Sequence, residues 1–455
     1  MPPFQRGTLA QNYSKELGLL LRTVVRGLEV RAMPADQITH EFLCAERMAL
    51  AHPVGDGVIV LNRAAADAFD DLSESLVTRS SGMERGVDFE SVRSELLNVL
   101  ANYVGSDADS INADTVATLH MHLEQWFSQR AASRQVFIPC AISPWEAPRF
   151  SIGPVLFIYI DHVAGSEFYP CSDDGINRHG FDHMLASMKA SRAHWLACVS
   201  VEHCDRQRGE EIGALAADLA IAGIQLALPL FWDTRRMTRL DVRRGEAQRQ
   251  TLSRSGDSYF VGVSNRDAGL PIGPGTMADV LQRTAPVIDA VGKCVTSFAT
   301  GQFRFPNLEQ AWCDAAYWLH EALAETSDAI AFAKLETALE VLVRAESASG
   351  SGSRIELILA AFYGLSPHDM LTSESTTTAK QFAKGIVQDR SRILHGTWST
   401  LNPRLGLNRR GTEQFVIEVI RRVAVELDAY AHTTAPVDEI EPFLMWVKSK
   451  NQPTP

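Results

Sequence analysis

The spacing of apolar residues gives the first part of the chain a largely helical texture. From residue 1 to about 130, apolar positions recur at helical spacing, as in LGLLLRTVVRGLEV (17–30) and VRSELLNVLANYV (92–104). One strand-like run, DGVIVLN (56–62), interrupts this pattern. We therefore expect residues 1–130 to form a mostly helical N-terminal region.

The pattern becomes mixed from residue 131 to residue 306. EEIGALAADLAIAGI (210–224) has helical spacing, whereas LPIGPGTM (270–277) is a turn-rich break. Short β-branched or aromatic runs, punctuated by Gly, Pro and Asp, predict strands at 134–142, 154–163, 194–203 and 258–265. The pattern is typical of a mixed α/β region.

Residues 307–432 show helical periodicity throughout, and short connections between amphipathic helices favour a bundle. Five helices are expected, around 308–322, 332–343, 355–365, 379–395 and 416–427. SASGSGS (347–353) is interpreted as a flexible connector, and residues 433–455 as a polar, partly disordered tail. The predicted fold class is multidomain: a helical and mixed α/β N-terminal region followed by an all-α five-helix bundle.

Composition narrows the class of protein. The chain has 455 residues, of which 45% are hydrophobic and 22% charged, as in soluble globular proteins. The formal net charge of -12 argues against nonspecific coating of nucleic acid, although a local basic cleft remains compatible with it. Seven cysteines, with no CxxC pair, favour reduced thiols. We expect a cytoplasmic protein with no signal peptide and no membrane contact.

One cationic residue interrupts an apolar helix face in IVQDRSRILHG (386–396). With about 100° per residue, Arg390 lies about 40° from Ile386. It falls in the middle of an apolar arc that comprises Phe382, Ala383, Ile386, Val387, Ile393 and Leu394. Gly396 offers a stop for this helix, and an unwound last turn would bring His395 back toward Arg390.

A buried guanidinium needs a carboxylate, a phosphate or water, because it cannot be deprotonated. Glu336 and Glu340, one turn apart at the edge of an apolar stripe, are candidate carboxylate partners in a purely structural interpretation. In the functional interpretation, Arg390 faces a cleft and binds a phosphate. Spacing alone does not decide between the two, and a histidine at a helix end is commonly a surface or capping residue.

The string DRSRILHG, with Arg390, four residues and then His395, resembles the R-x4-6-H motif of HEPN-domain ribonucleases, particularly the Apea-like branch. The helix FAKLETALEVLV (332–343) is similar to the acidic helix that precedes this motif. The resemblance covers about 307–432. It implies a metal-independent endoribonuclease without cofactors, in which two protomers of a homodimer form one composite cleft.

The resemblance also implies roles for individual residues. His395 would be the general acid or base, and Arg390 would hold the scissile phosphate. The products would be a 2′,3′-cyclic phosphate and a 5′-OH, so DNA should not be cut. Supporting residues would be Ser391, Glu336 and Glu340, and the RNA-binding rim would comprise Arg392, Lys384 and Lys380.

On the same grounds, RNA, with tRNA as a plausible form, is the expected substrate, in prokaryotic antiviral defence or a toxin system. The region before the bundle would act as sensor or regulator of a phage or other trigger. Two alternatives stay open: a non-catalytic HEPN module for dimerisation or partner binding, and a metal-dependent enzyme in the middle region.

Other constellations are weaker. RHGFDH places His179 and His183 at i, i+4, which is compatible with a shared metal on one helix face, but Gly180 disfavours a helix there. A zinc site would draw on Cys171, His179, His183, Cys198, His203 and Cys204, yet these are better interpreted as loop and strand residues. GLPIGPGT (269–276) lacks the Lys-Ser/Thr of a P-loop and is interpreted as a turn.

Overall fold

The structure is a computed structural model that describes residues 3–31, 48–51, 58–79, 82–170, 175–229, 234–240, 248–265, 269–345, 348–399 and 408–451. The chain divides into two compact units. Unit 1 comprises Met1–Arg134 and Glu202–Glu211, and unit 2 comprises Gln135–Val201 and Ile212–Pro455. The domain boundary expected at residue 306 lies inside unit 2.

Unit 1 is mostly helical and carries a small sheet. Its helices are α1 (Pro3–Arg26), α2 (Arg63–Arg79), α3 (Met83–Gly86), α4 (Phe89–Leu100) and α5 (Ala113–Arg130). Its strands are β1 (Leu28–Arg31), β2 (Met48–Ala51) and β3 (Val58–Leu61), in the antiparallel order β1-β3-β2. Apolar residues such as Leu21, Phe69 and Leu96 form its core. The helical prediction and the strand at 56–62 are confirmed, whereas β1 and β2 were not predicted.

A five-stranded sheet dominates the first part of unit 2. Its strands are β4 (Ala132–Ala141), β5 (Phe150–Ile152), β6 (Val155–Tyr159), β7 (Trp195–Cys204) and β8 (Thr238–Arg239), in the order β5-β6-β7-β4-β8. Helices α6 (Ile160–Val163), α7 (Gly175–Ala190) and α8 (Arg206–Ala227) accompany these strands. Strands β9 (Gln248–Ser255) and β10 (Ser258–Asn265) form a separate antiparallel hairpin. All four predicted strands and the predicted helix are confirmed, so the mixed α/β character is established.

The rest of unit 2 is helical. It contains α9 (Pro274–Arg283), α10 (Ala285–Thr300), α11 (Pro306–Ala324), α12 (Asp328–Leu342), α13 (Ala348–Tyr363), α14 (Ala379–Leu394), α15 (Arg409–Tyr430) and α16 (Ile440–Asn451). Helix α12 packs against α11, α14 and α15, and α13 packs against α14. The five helices expected at 307–432 are therefore present as α11 to α15.

Helix α10 connects the sheet to the bundle within unit 2. It packs against α11 and α15 on one side and against β5 on the other. A Cβ atom at Gly292 would lie 2.8 Å from the backbone nitrogen of Gly153, so only glycine permits this approach. A buried polar contact, Nδ1 of His320 to Oε1 of Gln225 at 3.0 Å, also joins α11 to α8. Sheet and bundle consequently belong to one compact unit.

Two expectations about the C-terminal part are wrong. From Ala348 onward, the connector expected at 347–353 forms the first part of α13, where Ser351 is fully buried. The polar tail contains α16, whose Phe443, Leu444 and Val447 are buried against the bundle. Both helical segments are stabilised by packing against neighbouring helices. Local composition does not predict such packing.

Candidate functional site

Arg390 occupies a core position of α14. The buried stripe of this helix runs through Ala379, Ala383, Ile386 and Ile393, which are 0–6% exposed. Arg390 lies between Ile386 and Ile393 in the same alternation of four and three residues that marks the buried face of a packed helix. Its side chain is 30% exposed. The cation therefore stands where the helix pattern would place an apolar residue.

The apolar arc predicted around Arg390 is narrower than expected. Phe382 and Val387 are half-buried, and Leu394 is 59% exposed. Leu394 is therefore not part of the core, because the helix ends at this residue and no further turn packs beyond it. The guanidinium of Arg390 emerges at the edge of the buried stripe.

Arg390 faces two carboxylates on α12. Its Nε lies 3.3 Å from Oε2 of Glu336, and its Nη2 lies 3.3 Å from Oε2 of Glu340. Glu336 is 0% exposed, whereas the side chain of Glu340 is 17% exposed. The partners predicted in the structural interpretation are thus present, and the guanidinium is bound from one side.

Glu336 favours its protonated form. Its pKa is raised from 4.5 to about 8, mainly by burial and further by the charge of Glu340, while Arg390 opposes the increase. Neither carboxyl oxygen of Glu336 has a hydrogen-bond partner among the described residues. A proton on Glu336 can be donated to Glu340, which contributes to the upward shift. At neutral pH Glu336 is therefore mostly protonated and uncharged.

Ser351 completes this cluster and was missed in the sequence. Its hydroxyl donates a hydrogen bond of 2.7 Å to Oε1 of Glu340. The sequence did contain a signal for this position, because Ser351 continues the stripe of Ile355, Ile358 and Phe362 at helical spacing, and this stripe is buried in the structure. The serine-glycine composition of the segment concealed it.

His395 caps the end of α14. Its backbone N–H donates to the carbonyl oxygen of Ser391 at 3.0 Å, so the last turn is not unwound. Gly396, with φ of 68°, ends the helix as expected. The His395 imidazole is exposed to solvent, and it does not contact Arg390. The expectation that His395 swings back to Arg390 is wrong.

A polar stripe runs along α14, centred about 110° around the helix from Arg390. Lys380, Lys384, Ser391 and His395 fall within an arc of about 60° and extend about 22 Å along the axis. The two lysines and the histidine are exposed, and Ser391 is half-buried. We call these four residues the α14 stripe. Its two lysines and its imidazole face solvent together.

Arg392 lies on another face of α14. Its guanidinium carbon lies 5.3 Å from the centre of the Trp398 ring, and Nη1 lies 3.9 Å from Oδ1 of Asp389. The structure therefore groups Lys380 and Lys384 with His395, but not Arg392.

A cavity of about 500 Å³ lies beside Glu340, between the start of α11 and the end of α12. Burial raises the pKa of Asp314, one of its lining residues. Polar lining groups come from Asn307, Gln310, Asp314, Glu340 and Arg344. Glu340 thus contacts Arg390 through Oε2 and Ser351 through Oε1, and it also lines this cavity.

The candidate zinc residues do not form a recognisable site. His179 and His183 lie on α7, which does form despite Gly180, and Cys198, His203 and Cys204 lie on β7. Cys171 and Cys44 fall outside the described residues. Within the described residues, no group of three or more His, Cys, Asp or Glu side chains is arranged to hold a metal ion. Cys140, Cys198, Cys204, Cys294 and Cys313 are buried and are not in disulfide bonds.

None of the described helices combines the length and the apolar character needed to cross a bilayer. The site built by α12, α13 and α14 thus offers a partly exposed guanidinium, a proton-sharing carboxyl pair and an exposed imidazole. This set can bind an anion and transfer protons. No family model, no curated protein and no solved structure matches this chain.

Proposed function

We propose that this chain is a metal-independent endoribonuclease of the HEPN type, with α11 to α15 as its catalytic bundle. It would cut RNA through attack of the ribose 2′-OH and leave 2′,3′-cyclic phosphate and 5′-OH ends. The observation that carries the proposal is Arg390, which interrupts a buried helix stripe yet keeps 30% of its side chain exposed, on the helix that also carries the α14 stripe.

Arg390 is suited to hold the scissile phosphate. Nε and Nη2 face Glu336 and Glu340, which fix the plane of the guanidinium. Nη1 makes no ion pair or hydrogen bond with the described residues, and it can donate to a phosphate oxygen. Because Glu336 favours its neutral form, the negative charge of the carboxyl pair does not exceed the positive charge of the Arg390 guanidinium.

His395 is the proposed general acid or base, since imidazole can gain or lose a proton near neutral pH. On one helix, His395 and Arg390 point about 140° apart. A homodimer in which two copies of α14 face each other would place the imidazole of one protomer near the guanidinium of its partner. Lys380 and Lys384 would attract the RNA backbone.

The biological role follows from the resemblance to HEPN ribonucleases. The substrate would be RNA, with tRNA as a plausible form, and the setting would be antiviral defence or a toxin system in the cytoplasm. The remaining part of the chain would regulate the nuclease in response to a phage or other trigger molecule.

A second function is favoured by the same ion pairs. Two carboxyl groups beside Arg390, one of them hydrogen-bonded to a buried serine, also form a structural cluster that holds the guanidinium in place. A non-catalytic HEPN bundle that dimerises or binds a partner would need only this cluster, and not the exposed His395.

The experiment is an RNA cleavage assay in EDTA, with total tRNA and a DNA of matching sequence. Wild type is compared with Arg390→Ala and His395→Ala. The controls are Arg410→Ala and His432→Ala, which remove an exposed arginine and an exposed histidine of the neighbouring helix and loop. The nuclease is supported if wild type cuts RNA but not DNA and leaves cyclic-phosphate ends. Arg390→Ala and His395→Ala should lose this cleavage, and the two control variants should keep it. RNA binding or dimerisation without cleavage, in the full chain and in a 307–455 fragment, supports the non-catalytic bundle.

A further inference from the structure

Among the residues that the structure describes, no third strand pairs with the β9–β10 hairpin. Its eight residue pairs run from Ser258 opposite Ser255 to Asn265 opposite Gln248. These two strands form a sheet of their own. Every residue from 251 to 263 is exposed. The ribbon therefore projects from unit 2 with both faces open to solvent.

One face of this hairpin is apolar. Residues directly opposite each other on antiparallel strands share a face, so Leu252 lies beside Val261 and Arg254 beside Tyr259. The exposed fractions are 67% for Leu252, 61% for Tyr259, 69% for Val261 and 55% for Val263. The guanidinium of Arg254 lies 5.5 Å from the Tyr259 ring centre. We call this surface the Leu252 face.

Exposure of an apolar surface of this kind to water is unfavourable in free energy. An isolated two-stranded hairpin is at best marginally stable in water, and contiguous exposed apolar residues commonly mark a protein contact. Tyr and Arg, stacked as in this hairpin, are the residue types enriched where protein interfaces gain most of their affinity. The Leu252 face thus has the chemistry of a protein contact more than of a nucleic-acid contact.

Charge indicates which protein fits. The described hairpin, residues 248–265, contains two arginines and one aspartate, a net charge of +1. The rest of the chain holds 41 basic and 54 acidic residues, a net charge of -13. A second copy of this chain is therefore itself an acidic partner for the basic hairpin segment.

We propose that the hairpin docks through its Leu252 face onto the body of a second copy of this chain, and that the exchange is reciprocal. This contact does not depend on the proposed nuclease activity, and it is separate from the α14 contact invoked there. Reciprocal docking is a twofold contact that closes on itself, whereas one-way docking would by itself build an open chain of subunits.

The available area supports reciprocal docking. A strand pair of eight residues is about 27 Å long and about 10 Å wide, so one face covers roughly 270 Å². Two hairpin faces and the two surfaces that they cover amount to roughly 1,100 Å², close to the lower limit of a specific interface. Two hairpins packed only against each other would bury roughly half of that, which is the size of an incidental contact.

The direct test is photo-crosslinking with isotopically mixed protein. The full chain with Tyr259→p-benzoylphenylalanine is prepared in unlabelled and ¹⁵N-labelled form, mixed in equal amounts and irradiated. Crosslinked peptides that join one isotopic form to the other are expected. Crosslinks confined to a single isotopic form would overturn the proposal in favour of docking on the hairpin's own chain. Adducts that appear only with added RNA would overturn it in favour of an RNA surface.

A second test measures the dimer dissociation constant by sedimentation over a dilution series. Leu252→Ser combined with Val261→Ser is expected to raise this constant at least tenfold. The matched control, Thr251→Ser combined with Ser253→Thr, changes the opposite face of the same strand and should leave it unchanged. Equal constants for all three proteins would overturn the proposal, whether or not any of them cuts RNA. Because the substituted side chains are exposed, the thermal midpoint should stay constant and verify folding.

Discussion

Oε2 of Glu336 lies 3.3 Å from Nε of Arg390, yet neither atom makes a hydrogen bond with the described residues. The two groups attract each other by charge without the geometry of a strong pair. A fully buried carboxylate in that position is poorly compensated, whereas a protonated Glu336 can donate to Glu340. The cluster is therefore a proton-binding site inside the bundle.

This relationship predicts how stability depends on pH. The folded pKa of Glu336, about 8, lies above its ordinary value of 4.5, so the folded state retains a proton that the unfolded state releases. The contribution of Glu336 should make the free energy of unfolding fall as pH rises from about 4.5 to about 8. Glu336→Gln should match wild type near pH 5 and exceed it by at least ~1 kcal/mol at pH 8.5. Urea denaturation at both pH values checks this, and parallel pH profiles for the two proteins would contradict it.

Arg390 and Glu336 should be energetically coupled. Arg390→Met removes the cation and leaves Glu340 beside a buried carboxyl, so we expect a loss of about 1–3 kcal/mol in stability at pH 7. When Glu336→Gln is already present, the same change should cost about 1 kcal/mol less at pH 9, where Glu336 is ionised, and nearly the same at pH 7, where Glu336 is protonated. A double-mutant cycle from denaturation curves measures this difference. Strict additivity would show that the ion pair contributes nothing to stability.

Ser351→Ala should destabilise the bundle by about 1–2 kcal/mol, because Glu340 loses a buried hydrogen-bond donor. Ser353→Ala, two residues along the same helix but at an exposed position, serves as the control and should have a smaller effect. Thermal unfolding of both variants provides the comparison. Equal effects would mean that helix propensity, and not the contact with Glu340, determines the result.

His395→Ala should separate activity from stability. The imidazole is exposed and its backbone alone forms the helix cap, so the free energy of unfolding should change by less than about 0.5 kcal/mol. RNA cleavage should fall at least ~100-fold if His395 transfers a proton. Unchanged cleavage, with an intact fold, would remove His395 from the proposed mechanism.

The last helix should be an integral part of unit 2. Phe443 is 0% exposed and packs against the Tyr430 ring, so Phe443→Ala should cost about 3–5 kcal/mol. Met445→Ala, at a position that is 65% exposed on the same helix, should have little effect. Chemical denaturation of the two variants distinguishes a packed helix from a dispensable tail.

Much of the fold was predictable because local patterns report local structure. Short β-branched or aromatic runs identified β4, β6, β7 and β10, and helical spacing identified α8 and the five helices from α11 to α15. The start of α13 and the whole of α16 were missed for a common reason. Serine, glycine and proline favour loops in isolation, and only burial against neighbouring helices stabilises these two segments.

By itself, the sequence determined that Arg390 lies in the apolar stripe of a helix, that Gly396 ends this helix, and that Glu336 and Glu340 were candidate partners. Periodicity fixes which residues share a face, and a left-handed glycine fixes where a helix stops. Only the tertiary structure decided that both carboxylates meet Arg390, that Ser351 joins them, and that His395 stays exposed. Those contacts depend on how α12, α13 and α14 pack, and burial in that packing raises the pKa of Glu336.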